Sequence, residues 1–460
     1  MSAVLATFDA RLKRLASGDR WLRRNPLFYG AVAQSIEALA RAPLSERIAF
    51  TEQRLQQVLR AARRTSYGAG VSAADSIESW PLLQKSNVRD TPEQFHTRNT
   101  WFAARASTGG TTGTPLRLMR SLHSIVAEQV CIDRMIASLG VDPKTMRMAV
   151  LRGDNIKPTT DTSPPYWSFT HGGRRLTFSA NHLNGDTVAH YRSALEAFEP
   201  DVLWVYPSAL ESFCRLLADA HRRVNVPRVL SSSEMLPPNV WRLAQERLGC
   251  QLLDYYGQAE RVAFAYARRA REYYFLPGYA YVELLPRGTD GRMQEVEIVG
   301  TSLWNLTMPL VRYRTGDLIR VPAEYSSIEL NEIAYGLRPF DGVIGRASDV
   351  LLAPDGASFL IAINHIPRGV DHLVRLQVVQ QSLDHIVLRA LVESGFGDRQ
   401  IEQLVSNARA KVPAEVRIDV EIVDALERTA NGKTPFILRS PQVQTRFDAL
   451  RGRELDGCNR

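Results

Sequence analysis

The feature that most restricts the fold of this chain is an alternation, through its middle, between short apolar runs and helical patterns. Apolar runs at residues 148–151, 202–205, 228–230 and 251–255 each end in a polar or glycine-containing loop. Between them, residues 208–222 and 239–248 carry apolar side chains at helix spacing. Short strands separated by helices cannot bury both kinds of face unless they stack in layers, so the predicted fold class is α/β. In open sheets of this kind ligands sit at the loops that follow the strands.

The two ends read differently. The first hundred residues are helical in pattern: between 45 and 64, Ile48, Thr51, Leu55, Val58 and Leu59 recur at helix spacing with charges between them. Beyond about residue 345 the period becomes two. Val374, Leu376 and Val378 alternate, a turn at 382–384 leads to the run 386–391, and Ile401, Leu404, Val405 and Ala408 mark an amphipathic helix. Val416, Ile418, Val420 and Ile422 then alternate again. This predicts a large N-terminal layered α/β domain over residues 1–345 and a small C-terminal α+β domain, β-β-α-β in order, over 346–460.

Composition excludes several classes. With 45% hydrophobic and 23% charged residues, wholesale disorder is ruled out. Lys and Arg number 57 against 49 Asp and Glu, a net charge of 57 − 49 = +8. The basic clusters (Arg222-Arg223, Arg268-Arg269 with Arg271, Arg451 with Arg453) are isolated and lack interleaved aromatics, so nucleic acid is not an expected partner. A mildly basic protein does attract an anionic substrate such as a nucleotide. Cys131, Cys214, Cys250 and Cys458 are scattered with no CxxC pair, which predicts no disulfide framework and no zinc or iron–sulfur site, and fits a reduced, cytoplasmic setting. No stretch approaches the roughly 18 apolar residues of a membrane span. Asp9 interrupts the short apolar stretch near the N-terminus, which does not read as a signal peptide.

Five motifs carry chemistry. In Ser107-Thr108-Gly109-Gly110-Thr111-Thr112-Gly113-Thr114-Pro115, glycines let backbone approach a ligand, and hydroxyls and N–H groups suit phosphate oxygens. An ordinary surface loop has the same composition, and with Thr114 where a lysine is required this is no Walker A loop. Asp254-Tyr255-Tyr256-Gly257-Gln258-Ala259-Glu260, at a strand end, offers a ring for a flat base and a carboxylate for Mg²⁺; a strand closing in a glycine turn would look alike. Arg312-Tyr313-Arg314-Thr315-Gly316-Asp317 places a carboxylate just past a glycine, either for two ribose hydroxyls or as a turn aspartate. Gly345-Arg346-Ala347-Ser348-Asp349 lies where the pattern changes, and Thr429-Ala430-Asn431-Gly432-Lys433 is a turn presenting one lysine.

Taken together, in this order and at these separations, the five motifs resemble those of the adenylate-forming superfamily of acyl-CoA synthetases, peptide-synthetase adenylation domains and luciferases, over roughly residues 80–435. The short N-terminal region, Tyr206-Pro207-Ser208, the Gly-Gln-Ala-Glu-Arg-Val form of the tyrosine–glycine motif, and Thr301-Ser302-Leu303, Asn305 and Met308-Pro309-Leu310 are most similar to the phenylacetate–CoA ligase and CapK-like branch.

The resemblance implies two half-reactions: a carboxylate attacks the α-phosphorus of Mg-ATP to give an acyl-adenylate and pyrophosphate, and a nucleophile, typically coenzyme A, then displaces AMP. It implies that the loop Thr108, Gly109, Gly110, Thr111, Thr112 and Gly113 holds the β- and γ-phosphates. Tyr256 and Gly257, with Ser232, Ser233 and Glu234, would border the adenine. Glu260, with Thr111, would hold Mg²⁺. Asp317 would bind the ribose, Arg346 the ribose or α-phosphate, and Lys433 would bridge the attacking carboxylate and the α-phosphate. Ser348 and Asp349 fall at the hinge of the small domain.

Two departures stand out. Thr114 replaces the lysine that usually precedes the proline, and Ala259 replaces a hydroxyl residue before the glutamate. Residues 261–281 hold no cysteine, so the structural zinc of some relatives is not expected. Trp167, Phe169, His171, Trp204 and Tyr206 lie where an acyl pocket would form. Of these Trp167 and Tyr206, joined by Tyr256, are the expected substrate contacts, although tryptophan and phenylalanine near strands are mostly core and a histidine before two glycines is mostly a turn. The expected activity is an aryl or other small organic acid–CoA ligase using ATP, Mg²⁺ and CoA. The alternatives are transfer of the activated acid, including a non-carboxylate acid, to an amine, hydroxyl or carrier-protein thiol, and a homologue that binds nucleotide without catalysis. Retention of Glu260 and Lys433 argues against the last.

Overall fold

A computed structural model of the chain describes residues 22–72, 76–98, 103–107, 116–152, 154, 156–158, 161–346, 350–354, 358–360, 366–367, 370–409, 412–428 and 434–447. The chain divides into two compact units, residues 1–315 with 319–343, and residues 344–460 with the segment Gly316–Leu318. Each is an α/β arrangement of its own.

The large unit begins with two helices, Pro26–Arg41 and Leu44–Ala62. The second buries Thr51, Leu55, Val58 and Leu59, the positions the periodicity marks. It also buries Arg47, which lies on the same face four residues before Thr51 although its charge alone would favour water. The Arg47 guanidinium donates to the carbonyls of Ala42 (2.9 Å) and Ala40 (3.1 Å), closing the orphan carbonyls at the end of the first helix. A hairpin of β1 (Ala104–Ser107) and β2 (Arg117–Arg120) follows, with Ser107 opposite Arg117.

The main sheet is built from β3 (Met148–Arg152), β4 (Trp167–Thr170), β5 (Arg175–Ser179), β6 (Val202–Val205), β7 (Arg228–Ser232), β8 (Gln251–Gly257), β9 (Phe264–Ala267) and β10 (Tyr273–Phe275). Its order is β10-β9-β8-β7-β6-β3-β5-β4. The five strands β5-β3-β6-β7-β8 are parallel, with antiparallel strands on both flanks. Both faces are covered, which is why the strands read as continuous apolar runs. Leu151, Leu203, Val205, Val229 and Leu252 enter one core with the helices Val188–Phe198, Pro207–Asp219 and Pro238–Leu248. Val150, Val202, Leu230 and Leu253 enter the other, with the two N-terminal helices and the helix Leu122–Ala137. The chain moves from β3 outward to β5, then returns past β3 to β6, so the winding reverses between β3 and β6. In a doubly wound sheet that is where a crevice opens at the carboxyl ends.

A second sheet, unannounced in the sequence patterns, contains β11 (Ala280–Asp290), β12 (Met293–Ser302), β13 (Tyr313–Pro322) and β14 (Val343–Arg346), in that order. In the small unit a hairpin pairs β15 (Val350–Leu352) with β16 (Ser358–Leu360). The predicted β-β-α-β unit forms as β17 (Leu373–Ser382), β18 (His385–Val392), the helix Asp398–Arg409 and β19 (Arg417–Ile422). A further strand, β20 (Ile437–Arg439), lies parallel to β17, giving the order β19-β18-β17-β20.

Candidate active site at the strand ends of the large unit

The candidate nucleotide residues that the structure describes in the large unit gather at the carboxyl ends of β7 and β8, two adjacent strands with Ser232 in register with Tyr255. Ser232 is buried and accepts a hydrogen bond from the Trp204 indole N–H at 3.2 Å. Ser233 turns the chain out of the strand with a left-handed backbone, φ 75°. Glu234 then points its carboxylate at the first turn of the helix Pro207–Asp219, accepting from the Ser208 amide (2.8 Å) and hydroxyl (3.1 Å). An anion at a helix N-terminus is favoured by orphan N–H groups and the dipole, so Glu234 locks the loop after β7 to the start of that helix.

At the end of β8, the half-buried Tyr256 packs against the core and its hydroxyl accepts from the Gln258 side-chain amide. The carbonyl of that side chain accepts from the Ala263 backbone at 3.2 Å, holding the turn closed. A Cβ placed on Gly257 would meet only Phe264 Cδ2 at 3.7 Å and the Ala263 carbonyl oxygen at 4.0 Å, both ordinary contacts. Packing therefore does not require glycine here; a flat ligand lying on the backbone would.

Glu260 is buried at 7% exposure, low enough that an ionised carboxylate needs partners. Its Oε1 accepts from the Tyr313 hydroxyl at 2.8 Å and lies 3.6 Å from Lys85 Nζ. Among the described residues nothing donates to Oε2. The flanking residues are anchored: Arg120 donates to the Ala259 carbonyl at 2.7 Å, and buried Arg261 donates to the Ser124 carbonyl at 2.7 Å. One carboxylate with one open oxygen is a poor all-protein metal cage, and the described residues contain no cluster of three acidic, His or Cys side chains. It suits Mg²⁺, which keeps waters and takes its remaining ligands from phosphates. One strand pair back, burial pushes the Asp254 carboxyl up to about 7. It sits beneath the site as the acceptor of the Tyr273 hydroxyl and faces no open space.

The phosphate-loop residues Thr108, Gly109, Gly110, Thr111, Thr112, Gly113 and Thr114 lie outside the described residues, but the strand leaving that loop is described. Asn305, buried, accepts from the Ser121 amide (3.0 Å) and donates to the carbonyls of Met119 (2.9 Å) and Met308 (3.2 Å). This gives Asn305 and Met308 a physical reason beyond the likeness of their motif. Tyr313, Lys85 and Asn305 were not readable as site residues. Tyr313 sits inside a motif of which only Asp317 carried a predicted role, and Lys85 has no local signal at all.

Asp317 lies on β13 after Gly316 (φ 73°) and is buried at 5% exposure. Arg346 ends β14, and its side chain is outside the described set, as are Ser348, Asp349 and Lys433. The described ends of the Lys433 turn are held by a residue the sequence did not mark. Gln377, fully buried on β17, donates its amide to the carbonyls of Glu427 (3.0 Å) and Pro435 (2.9 Å) and accepts from the Glu427 amide (3.2 Å).

The expected acyl-pocket residues fall in two places, Trp204 and Tyr206 together at the end of β6 and Trp167, Phe169 and His171 at the far edge of the sheet. Tyr206 follows β6 near the reversal point. Trp167 is on edge strand β4, five strand positions from β8, or about 24 Å across the sheet. Its ring meets Phe178 edge-on and packs on the core, so Trp167 does not join Tyr256 in one pocket. Phe169 is 58% exposed on the same edge strand, and His171 is an exposed turn residue with φ 56°.

Comparison with known proteins places the chain. The sequence profile of the AMP-binding enzyme family matches residues 48–321, and that of the CapK C-terminal domain matches 351–440. The chain belongs to the AMP-binding enzyme family, in the phenylacetate–CoA ligase and CapK-like branch of the adenylate-forming superfamily. It is 22% identical over 283 residues to Protein CapK of Staphylococcus aureus, covering 60% of this chain and 60% of that protein. It is 24% identical over 306 residues to a phenylacetate-coenzyme A ligase of Pseudomonas putida, covering 61% and 64%. The chain thus spans about three-fifths of the length of these curated relatives. In fold it is similar to a 2-hydroxyisobutyryl-CoA ligase in its postadenylation state, with TM-score 0.59 and 16% identity over 90% of this chain and 93% of that one. No helix among the described residues is long and apolar enough to cross a membrane.

Proposed function

We propose that this protein is an AMP-forming ligase that activates an organic acid as its acyl-adenylate and transfers the acyl group to a thiol, with coenzyme A as acceptor. Family membership supports the class. The observation that carries the reading is Glu260: a buried carboxylate with one oxygen fixed by Tyr313 and the other without a donor among the described residues, beside a glycine that packing does not require. In this reading residues 1–345 form the adenylation domain and 346–460 the mobile domain carrying Lys433, working in the cytoplasm.

The first half-reaction joins a carboxylate oxygen to the α-phosphorus, and the bond to the bridging oxygen breaks with its electron pair leaving on pyrophosphate. What it needs from the protein is positioning and charge neutralisation rather than proton transfer. Mg²⁺, when bound, neutralises triphosphate charge. Glu260 would hold it with Thr111, while Thr108–Gly113 cradles the outer phosphates. Tyr256, Gly257 and the 232–234 segment border the adenine, Asp317 takes the ribose hydroxyls, and Arg346 the ribose or α-phosphate. Lys433 brings its ammonium between the two reacting anions. In the second half-reaction a thiolate attacks the acyl carbon and AMP departs, with Ser348 and Asp349 as the hinge between the two steps. The likeness of residues 351–440 to the CapK C-terminal domain favours keeping a second acceptor in view, an amine, hydroxyl or carrier-protein thiol.

Acid-dependent exchange of pyrophosphate into ATP, measured over aryl, aliphatic and amino acids, tests the reading. Lys433→Ala is expected to lower exchange by about a hundredfold or more with ATP affinity nearly unchanged. Wild-type exchange in that variant would remove the lysine from the mechanism, and identifying the second product with and without CoA separates the acceptors.

A further inference from the structure

The crevice where the sheet reverses its winding contains a cation that no predicted role uses. Arg152 ends β3, and its guanidinium carbon lies 4.9 Å from the centre of the Trp204 ring and 4.6 Å from that of Tyr206. Its Nη2 donates to the Tyr206 hydroxyl at 3.2 Å. The side chain is half-buried, yet no carboxylate among the described residues pairs with it. Other half-buried arginines of the large unit are held by carboxylates or by backbone carbonyls: Arg312 has Glu283 at 2.8 Å, Arg314 has Glu297 at 2.7 Å and Arg320 has Glu295 at 2.7 Å, while Arg54, Arg120 and Arg228 donate to the carbonyls of Leu303 (2.9 Å), Ala259 (2.7 Å) and Leu139 (2.7 Å).

A guanidinium drawn out of bulk water requires compensation. Two ring faces supply part of it and fix the plane of the fork, leaving N–H edges directed by the packing and not by an acidic partner. Such a fork matches an oxyanion bidentately. Position decides which oxyanion. In the proposed function Tyr256, which borders the adenine and is also an expected substrate contact, sets the reacting carboxylate at the end of β8; Arg152 belongs to β3, three strand positions away, but its guanidinium rests over rings at β6, two positions or about 10 Å from β8. The aromatic floor connects the two places: Trp204 bonds Ser232 on β7, and its ring centre is 6.4 Å from that of Tyr255 on β8. A planar acid lying along this floor with its head at β8 would bring its far end to Arg152.

We infer that Arg152 is a specificity residue for a second anionic group at the distal end of the substrate, so that the acid activated here is a flat dianion such as an aromatic dicarboxylate and not a simple aryl monoacid. This rests on the proposed adenylation for the position of the head, and binding is therefore tested apart from turnover.

The probes are benzoate and terephthalate, bound to the full chain and followed by calorimetry and by tryptophan fluorescence, with pyrophosphate exchange measured in parallel. Wild type is expected to bind terephthalate about ten- to a hundredfold more tightly than benzoate, the span of one charge-assisted bidentate contact. Arg152→Met should abolish that preference by weakening terephthalate alone, and Arg152→Lys should retain part of it, which separates recognition from a folding defect. In exchange the Arg152→Met loss should appear in KM for terephthalate, with kcat and ATP affinity unchanged. Equal affinity for the two probes in wild type, no binding of either, or equal weakening of both in Arg152→Met would overturn the inference. Preferential binding with no exchange would uphold Arg152 as the anion site and remove the adenylation reading instead.

Discussion

The two halves of the same sheet edge are built on opposite principles. At β7 and β8 the polar side chains are held by protein: Glu234 by the start of a helix, Ser232 by an indole, Glu260 by Tyr313. At β3 and β6 a cation rests on aromatic rings with no carboxylate partner among the described residues. A site for an invariant ligand can be fully preorganised, because the charge it meets never changes. A site for a variable ligand is better made of surfaces that accept many shapes plus one group that selects. Preorganised residues of the first kind are to be expected in common across a family, whereas a selecting group of the second kind distinguishes one member.

The sharpest way to break this contrast is at the rigid half. Glu260→Gln keeps the shape and the Tyr313 contact but removes the charge. If the carboxylate is there for a metal, exchange should fall by about a hundredfold, with partial recovery as Mg²⁺ is raised. A variant with unchanged activity at low Mg²⁺ would make Glu260 a structural partner of Tyr313 and Lys85 only. Next in size is Asp317→Ala, which should weaken ATP binding by about tenfold through the loss of charge-assisted bonds while leaving kcat for the bound complex nearly constant. Unaltered ATP affinity would leave Asp317 as a buried structural carboxylate of β13.

Legibility in the sequence followed the same physical divide. Strands β3, β6, β7 and β8 were readable because both their faces are buried, and their ends were readable because glycine and acidic residues interrupt the apolar runs. Strands β11 to β13 are not legible because arginine and glutamate on or beside them neutralise each other across strands, Arg312 with Glu283, Arg314 with Glu297 and Arg320 with Glu295. A one-dimensional pattern records those residues as wet. Arg47 is hidden in the same way, its partners being the backbone carbonyls of Ala40, Ala42 and Tyr335. The nucleotide residues could be placed by motif, whereas Arg152 has no motif: its meaning comes from Trp204 and Tyr206, some fifty positions away, and from the strand order that brings them together.

Gln377 is the smallest and most specific test of whether preorganisation extends to the small unit. Alternation through Val374, Leu376 and Val378 assigns position 377 to the outer face of β17, yet Gln377 is fully buried because the segment around residues 427 and 435 covers that face. Its one amide group closes three backbone groups on either side of the turn that carries Lys433, so it fixes the ends of that turn without touching a reactant. Gln377→Met preserves volume and removes all three hydrogen bonds, each contributing about 1 kcal/mol. A purely structural residue would lower the melting temperature and leave the residual folded enzyme normal. A positioning residue should in addition reduce the exchange rate of the folded enzyme, by about five- to tenfold for a loosened lysine. ATP affinity should be unaltered, as should release of AMP from a supplied acyl-adenylate by the thiol, since Lys433 serves the first half-reaction. Equal slowing of both half-reactions would show that the small unit as a whole is perturbed, and the clamp would then have no particular tie to Lys433.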